Sequence, residues 1–125
     1  MNRKNLSKPL IFLSFLMFGA NYAAMRFYWY FSIPGSDKIM HFLGGVWVAL
    51  SFIYLFLPEK ITLRTFLKII TLTLFVGLAW EAFEYWLNIF TTQNPFDLFD
   101  TLTDILFDIL GGAGVLSYLW KRQQR

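Results

Sequence analysis

The chain is 125 residues long, with 57% hydrophobic, 21% aromatic and only 15% charged residues, and its mean hydropathy is +0.50. A soluble domain of this length cannot bury 15 Phe, 6 Tyr and 5 Trp, whereas a bilayer solvates them, so an integral membrane protein is expected. The lack of cysteine excludes a disulfide framework, a thiolate nucleophile and a Cys-ligated metal, and the net charge of +3 sits in short flanks, a pattern of membrane orientation and not of nucleic-acid binding.

The first apolar segment runs over about 9–31, "PLIFLSFLMFGANYAAMRFYWYF", interrupted by Arg26. Its basic "RKNLSK" flank invites comparison with a cleaved signal peptide. The small-residue cleavage pattern is poor, however, and hydrophobicity continues through "RFYWYF", so an uncleaved first span is expected. The second segment covers about 41–57 and stops at Pro58, the third about 66–90, and the fourth about 101–120. Each is near the roughly 20 residues that cross a hydrocarbon core. The breakers "SIPGSDK", "LPEK" and "TTQNPFD" separate them. The expected fold is therefore all-α: a polytopic membrane protein with four transmembrane helices in a single bundle, forming one integral domain over 1–125.

Arg3, Lys4 and Lys8 precede the first span; Lys60, Arg64 and Lys68 lie between the second and third; Lys121, Arg122 and Arg125 follow the fourth. Only Arg26 and Lys38 fall toward the other side. Both termini and the middle loop are thus expected to be cytoplasmic, in a multi-pass protein of the cell (inner) membrane. "FYWYF" at 27–31 fits an outer aromatic belt and Trp120 an inner one.

This orientation sorts the acidic residues by depth. Of the eight, only Glu59 belongs to the cytoplasmic loop. Glu84 and Glu81 lie about 9 and 13 Å below the outer end of the third span, and Asp104 and Asp108 about 6 and 12 Å below that of the fourth. Asp37 and His41, spaced i,i+4, occupy the outer mouth of the second. Three spans thus present ionisable groups at matching depths. A charge at mid-membrane costs about 2.5–3.5 kcal/mol or more, and several carboxylates together need protons, cations or basic partners. The basic side chains within reach are His41, Lys38 and Arg26.

Glu81, Glu84, Asp104 and Asp108 are therefore the candidate metal ligands, with Asp100 a weaker one. The cation would be divalent: Mg²⁺, Mn²⁺, Ca²⁺ or Zn²⁺. His41, oriented by Asp37, is the candidate catalytic acid/base. Asp100 is expected to cap the fourth helix, and Asp97 to be a loop residue. "HFLGG" and "DILGGAG" fit close helix contact better than a phosphate cradle. Membrane lipids are the expected partners, a homo-oligomer is left open, and nucleic acid is not expected.

"SDKIMHFLGG", "WEAFEYW" and "DTLTDILFDILGGAG" resemble, in order and spacing, the signatures of the YjdF-like inner-membrane family, which belongs with the VanZ-like proteins. The resemblance covers about residues 36–115. The VanZ-like pattern usually has Gln at the place of Glu84 and Asn at that of Asp108, so the chain is more similar to the YjdF-like side. The resemblance implies a membrane fold and the position of a site, not an activity. Three functions fit the residues. The first is binding of a cation, proton or cationic ligand near the outer face. The second is a metal-dependent enzyme acting on a lipid-linked phosphate. The third is a structural or assembly factor whose polar seam specifies helix pairing.

Overall fold

A computed structural model describes residues 1–91, 93 and 95–125. Thr92 and Asn94, inside the expected boundary "TTQNPFD", lie outside the described residues. Among the described residues five helices occur in chain order: α1 Arg3–Arg26, α2 Trp29–Ser32, α3 Ser36–Phe56, α4 Leu63–Phe90 and α5 Leu98–Gln123. Four of them, with 24, 21, 28 and 26 residues, are long and apolar enough to cross a membrane. They form one all-α bundle, as the hydropathy pattern predicts.

The boundaries follow local chemistry. Asn2 caps α1 by accepting from the Lys4 amide, and Thr62 caps α4 by accepting from the Thr65 amide. The first apolar segment is not one helix. The chain leaves α1 at Phe27 and turns through Tyr28, whose φ of 58° is left-handed. One helical turn, α2, then carries it across to α3. Ser36 Oγ donates to the Trp29 carbonyl across this link. Gly35, at φ +80°, supplies the backbone conformation that opens α3. At the other end Leu57 ends α3 in the left-handed region, immediately before Pro58. The cap of α5 is Asp97, which accepts from the Asp100 amide at 3.1 Å. Asp100 therefore stands in the first turn of α5 with its side chain free for another role, and Asp97 is more than a loop residue.

The bundle is organised around α5. It packs most closely on α3 and next on α4, while α1 packs on α3. No Cα atom of α1 comes within 8 Å of one in α4. The α3–α5 crossing depends on glycine. A Cβ on Gly45 would collide with the backbone of Asp108, and one on Gly111 with the backbone of Phe42. Small residues let the two backbones touch, which is how membrane helices pack without a hydrophobic driving force. Gly112 faces Thr73 of α4 less tightly, since an added Cβ would lie 3.4 Å from its Cγ2, a van der Waals contact.

Two environments lie on either side of this crossing. Toward the C-terminal end of α3, Leu13, Ala49, Leu50, Ile53, Ile69 and Leu116 form an apolar core. Toward its N-terminal end the buried ionisable residues are His41, Asp104 and Asp108. Apolar side chains otherwise point outward: Phe15 is 76% exposed and Phe18 83%. Such a surface suits hydrocarbon and not water.

Candidate functional site

The site is built where α3 and α5 begin and α4 ends. α3 contributes Asp37, Lys38 and His41, α4 Glu81 and Glu84, and α5 Asp100, Asp104 and Asp108. The three helices bring together every residue that the sequence offers as a ligand or as an acid/base. Asp104 is 1% exposed and His41 5%.

His41 is the hub. Its Nδ1 lies 3.3 Å from Asp108 Oδ1. Its Nε2 faces three carboxylates: Glu81 Oε1 and Asp104 Oδ2 at 3.6 Å each, and Asp37 Oδ1 at 3.7 Å. These three distances are too long for direct hydrogen bonds. The ring is therefore fixed from one side and open to a carboxylate-lined space on the other. Asp108 holds the orienting position on Nδ1, whereas Asp37 stands on the Nε2 side with Glu81 and Asp104.

Lys38 has a structural part that the spacing of acids did not reveal. Its Nζ binds Asp100 Oδ1 at 2.7 Å and also pairs with Asp104 Oδ1. It thus ties the first two turns of α5 to α3. Arg26, the other basic residue expected nearby, makes no ion pair among the described residues; its guanidinium lies over the Phe27 ring, 6.0 Å from the centroid. Glu84 Oε1 accepts from Trp80 Nε1 at 2.9 Å, one turn earlier on α4. Gly77 makes room for Asp108, because an added Cβ would lie 2.8 Å from Asp108 Oδ2.

Among the described residues, two sets of carboxylate and imidazole atoms are close enough to share an ion. One ligand atom each from His41, Glu81, Glu84 and Asp104 lies within 4.8 Å of all the others, and the same holds for Asp37, Asp100 and Asp104. Ligands on opposite sides of a cation with bond lengths of 2.3–2.6 Å stand about 5 Å apart, so the first set is already compact enough. Lys38 pairs with Asp100 and with Asp104, which belongs to both sets, whereas Glu81 of the first set faces only His41 and Glu84 is in no ion pair described. Glu81 Oε1 and Asp108 Oδ2 are both buried, and among the described residues neither has a hydrogen-bond partner. A buried carboxylate oxygen without a donor is costly, and more so within a membrane.

A cavity of about 890 Å³ adjoins the cluster between α1, α3 and α4, and Asp37, His41, Glu84 and Asp108 reach its wall. At its rim Tyr30 donates its phenol to Asn21 Oδ1 at 2.6 Å. Burial pushes that phenol above its usual pKa, with Asp37 and Glu84 acting in the same direction, so Tyr30 stays a neutral donor. A smaller cavity of about 240 Å³ opens between α4 and α5, against Glu81, Glu84, Asp97 and Asp100.

A family model described as "Predicted membrane protein (DUF2238)" matches residues 7–125, and the chain belongs to that family. No curated protein and no solved structure matches it. Family and fold together make it a small multi-pass integral membrane protein.

Proposed function

We propose that this member of the DUF2238 family is an intramembrane cation-binding protein, in which His41 Nε2, Glu81, Glu84 and Asp104 hold one divalent cation. One observation carries the reading: Glu81 Oε1 is buried with no hydrogen-bond partner among the described residues, 3.6 Å from His41 Nε2. Charge supports it as well. Asp37, Glu81, Asp100, Asp104 and Asp108 meet only Lys38 and His41 in the ion pairs described, and Glu84 is in none of them. A divalent ion relieves that excess without requiring the acids to stay protonated. Asp108 on Nδ1 would fix the ring and raise its ligating strength, as a carboxylate behind a metal-bound histidine does. Within the family, the three motifs over residues 36–115 favour the YjdF-like, VanZ-like group.

Binding of Mn²⁺ to the detergent-purified chain tests the reading. One ion per chain is expected. Glu81→Gln and Asp104→Asn should each weaken binding, and the double variant should lose less than the sum of the two, because both act on one ion. Strictly additive effects, or folded protein that binds none of Mg²⁺, Mn²⁺, Ca²⁺ and Zn²⁺, would leave protons as the neutralising charge. Metal-dependent chemistry on a lipid-linked phosphate is less well supported, since Lys38 is already engaged by Asp100 and Asp104.

We place both termini on the cytoplasmic side and the site near the outer face, because nine of the eleven basic residues flank the opposite ends of the spans. Reporters fused at the N-terminus, within 58–62 and at the C-terminus should all report cytoplasm, and one within 93–97 the outside. A cytoplasmic signal from 93–97 would invert the arrangement.

A further inference from the structure

The large cavity has features that a metal site does not need. Its volume of about 890 Å³ lies at the upper end of the range for small-molecule pockets. Phe18 of α1, Trp47 and Val48 of α3, and Val76 and Trp80 of α4 line it. No Cα of α1 approaches one of α4 within 8 Å, so these two flanking helices leave it open sideways, where hydrocarbon surrounds the bundle. The polar tips of its aromatic residues are already used. Trp47 Nε1 donates to Ser14 Oγ at 2.8 Å, Trp80 Nε1 to Glu84 and the Tyr30 hydroxyl to Asn21. What these side chains offer the space is ring surface. One end, by contrast, is acidic. Asp37 and Glu84 reach it, and so does Asp108, a 7%-exposed residue whose Oδ1 faces His41 and whose Oδ2 is buried with no hydrogen-bond partner among the described residues. Lys38 and His41 also line it, but the Lys38 ammonium is held by Asp100 and Asp104, and the one imidazole is shared among Asp37, Asp108, Glu81 and Asp104.

A long apolar chamber with aromatic faces and a carboxylate end selects by charge and by shape. An anionic amphiphile meets more carboxylates than the one shared imidazole answers. A neutral one fills the chamber but adds no positive charge beside Asp108 Oδ2. A cationic head group satisfies the carboxylates, is attracted by the ring faces, and brings a chain that matches the apolar walls. We propose that the lateral cavity between α1, α3 and α4 binds a lipophilic ammonium, with its head group against Asp37, Glu84 and Asp108 and its alkyl chain along Trp47 and Val76. This goes beyond the divalent-cation reading and does not rest on it: Glu84 is common to both, but Asp37, Asp108, Trp47 and Val76 lie outside the four-ligand group.

The test uses the full chain in a neutral maltoside detergent, with decyltrimethylammonium as the probe and decanoate as the anionic chain of equal length. Quenching or shift of tryptophan fluorescence should saturate with the ammonium and not with decanoate. Asp37→Asn should weaken the ammonium about tenfold. Val76→Trp, which narrows the chamber and replaces no carboxylate, should weaken it at least tenfold while Mn²⁺ binding is kept. Equal binding of decanoate, or unchanged ammonium binding in folded Val76→Trp, would overturn the proposal. Mn²⁺ is read separately in each variant, so failure of the metal site and failure of the cavity are told apart.

Discussion

Lys38→Met is expected to destabilise the protein by about 3–5 kcal/mol, the range for removing one partner of a buried ion pair. Asp104 sets that size. Its side chain is 2% exposed, and Lys38 is one of two basic groups that reach it. The other, His41 Nε2, stands 3.6 Å from Oδ2 and is shared with Glu81 and Asp37. The Asp100 half of the pairing contributes little, because the Asp100 side chain is 56% exposed and a solvated pair is worth about 0–1 kcal/mol. Methionine keeps much of the apolar stem and removes the charge. The loss should therefore be reversed in large part by adding Asp104→Asn, which removes the stranded carboxylate. Asp104→Asn alone should cost less than Lys38→Met, since Lys38 keeps Asp100. Unfolding of the four proteins in mixed micelles completes the cycle. A Lys38→Met protein as stable as the parent would mean that Asp104 is neutral in the folded state, and the charge argument for the site would fail with it.

The sequence makes the span count and the acidic depth legible because both follow from one-dimensional rules: segment length against bilayer thickness, and position along a helix against depth. The facing of the three helices is written there too, in a form that hydropathy does not read. Asp37, His41, Gly45, Ala49 and Ile53 stand at steps of four on α3, and Asp100, Asp104, Asp108, Gly112 and Leu116 do so on α5. Ile69, Thr73, Gly77 and Glu81 form the matching row on α4, which runs the other way. Each row passes from charge, through glycine, to an aliphatic residue. Rows of this kind are the ridges along which helices interlock, and apart from Asp37, Asp100 and Glu81 their members are all buried. Gly77 could have been recognised from that register. Two features could not. The pairing of Lys38 with Asp100 and Asp104 depends on the rotation of α3 against α5, which a single lysine beside Asp37 does not disclose. The exchange of partners on His41 is of the same kind. An i,i+4 spacing puts Asp37 within reach, but Asp108 takes Nδ1 because Gly45 and Gly111 let α5 come close enough, and Gly77 leaves space for its carboxylate.

That geometry makes the pH response of cation binding the sharpest test of the site. The charged groups facing His41 are Asp37 and Lys38 from its own helix, Glu81 and Glu84 from α4, and Asp100, Asp104 and Asp108 from α5. A ligating Nε2 must be unprotonated, so a proton and a divalent cation compete for it. Uptake of the ion should therefore release a proton wherever His41 is still protonated. The sign is fixed: in that range apparent affinity falls as pH falls, by about tenfold per pH unit if one proton is displaced. His41→Ala removes both the ligand and this competition. It should weaken Mn²⁺ binding and flatten the histidine limb, leaving a shallower dependence at lower pH where Glu81, Glu84 and Asp104 take up protons. Asp108→Asn separates the hub from its support. The asparagine carbonyl still accepts from Nδ1–H, so the ring keeps its orientation and loses only the charge behind it, and affinity should fall by about 10–100-fold. Asp37→Asn changes a residue on the Nε2 side and should leave the histidine limb in place. If folded His41→Ala binds Mn²⁺ with the parent's affinity and pH profile, the imidazole is no ligand, and the ion sits among the carboxylates of α4 and α5 alone.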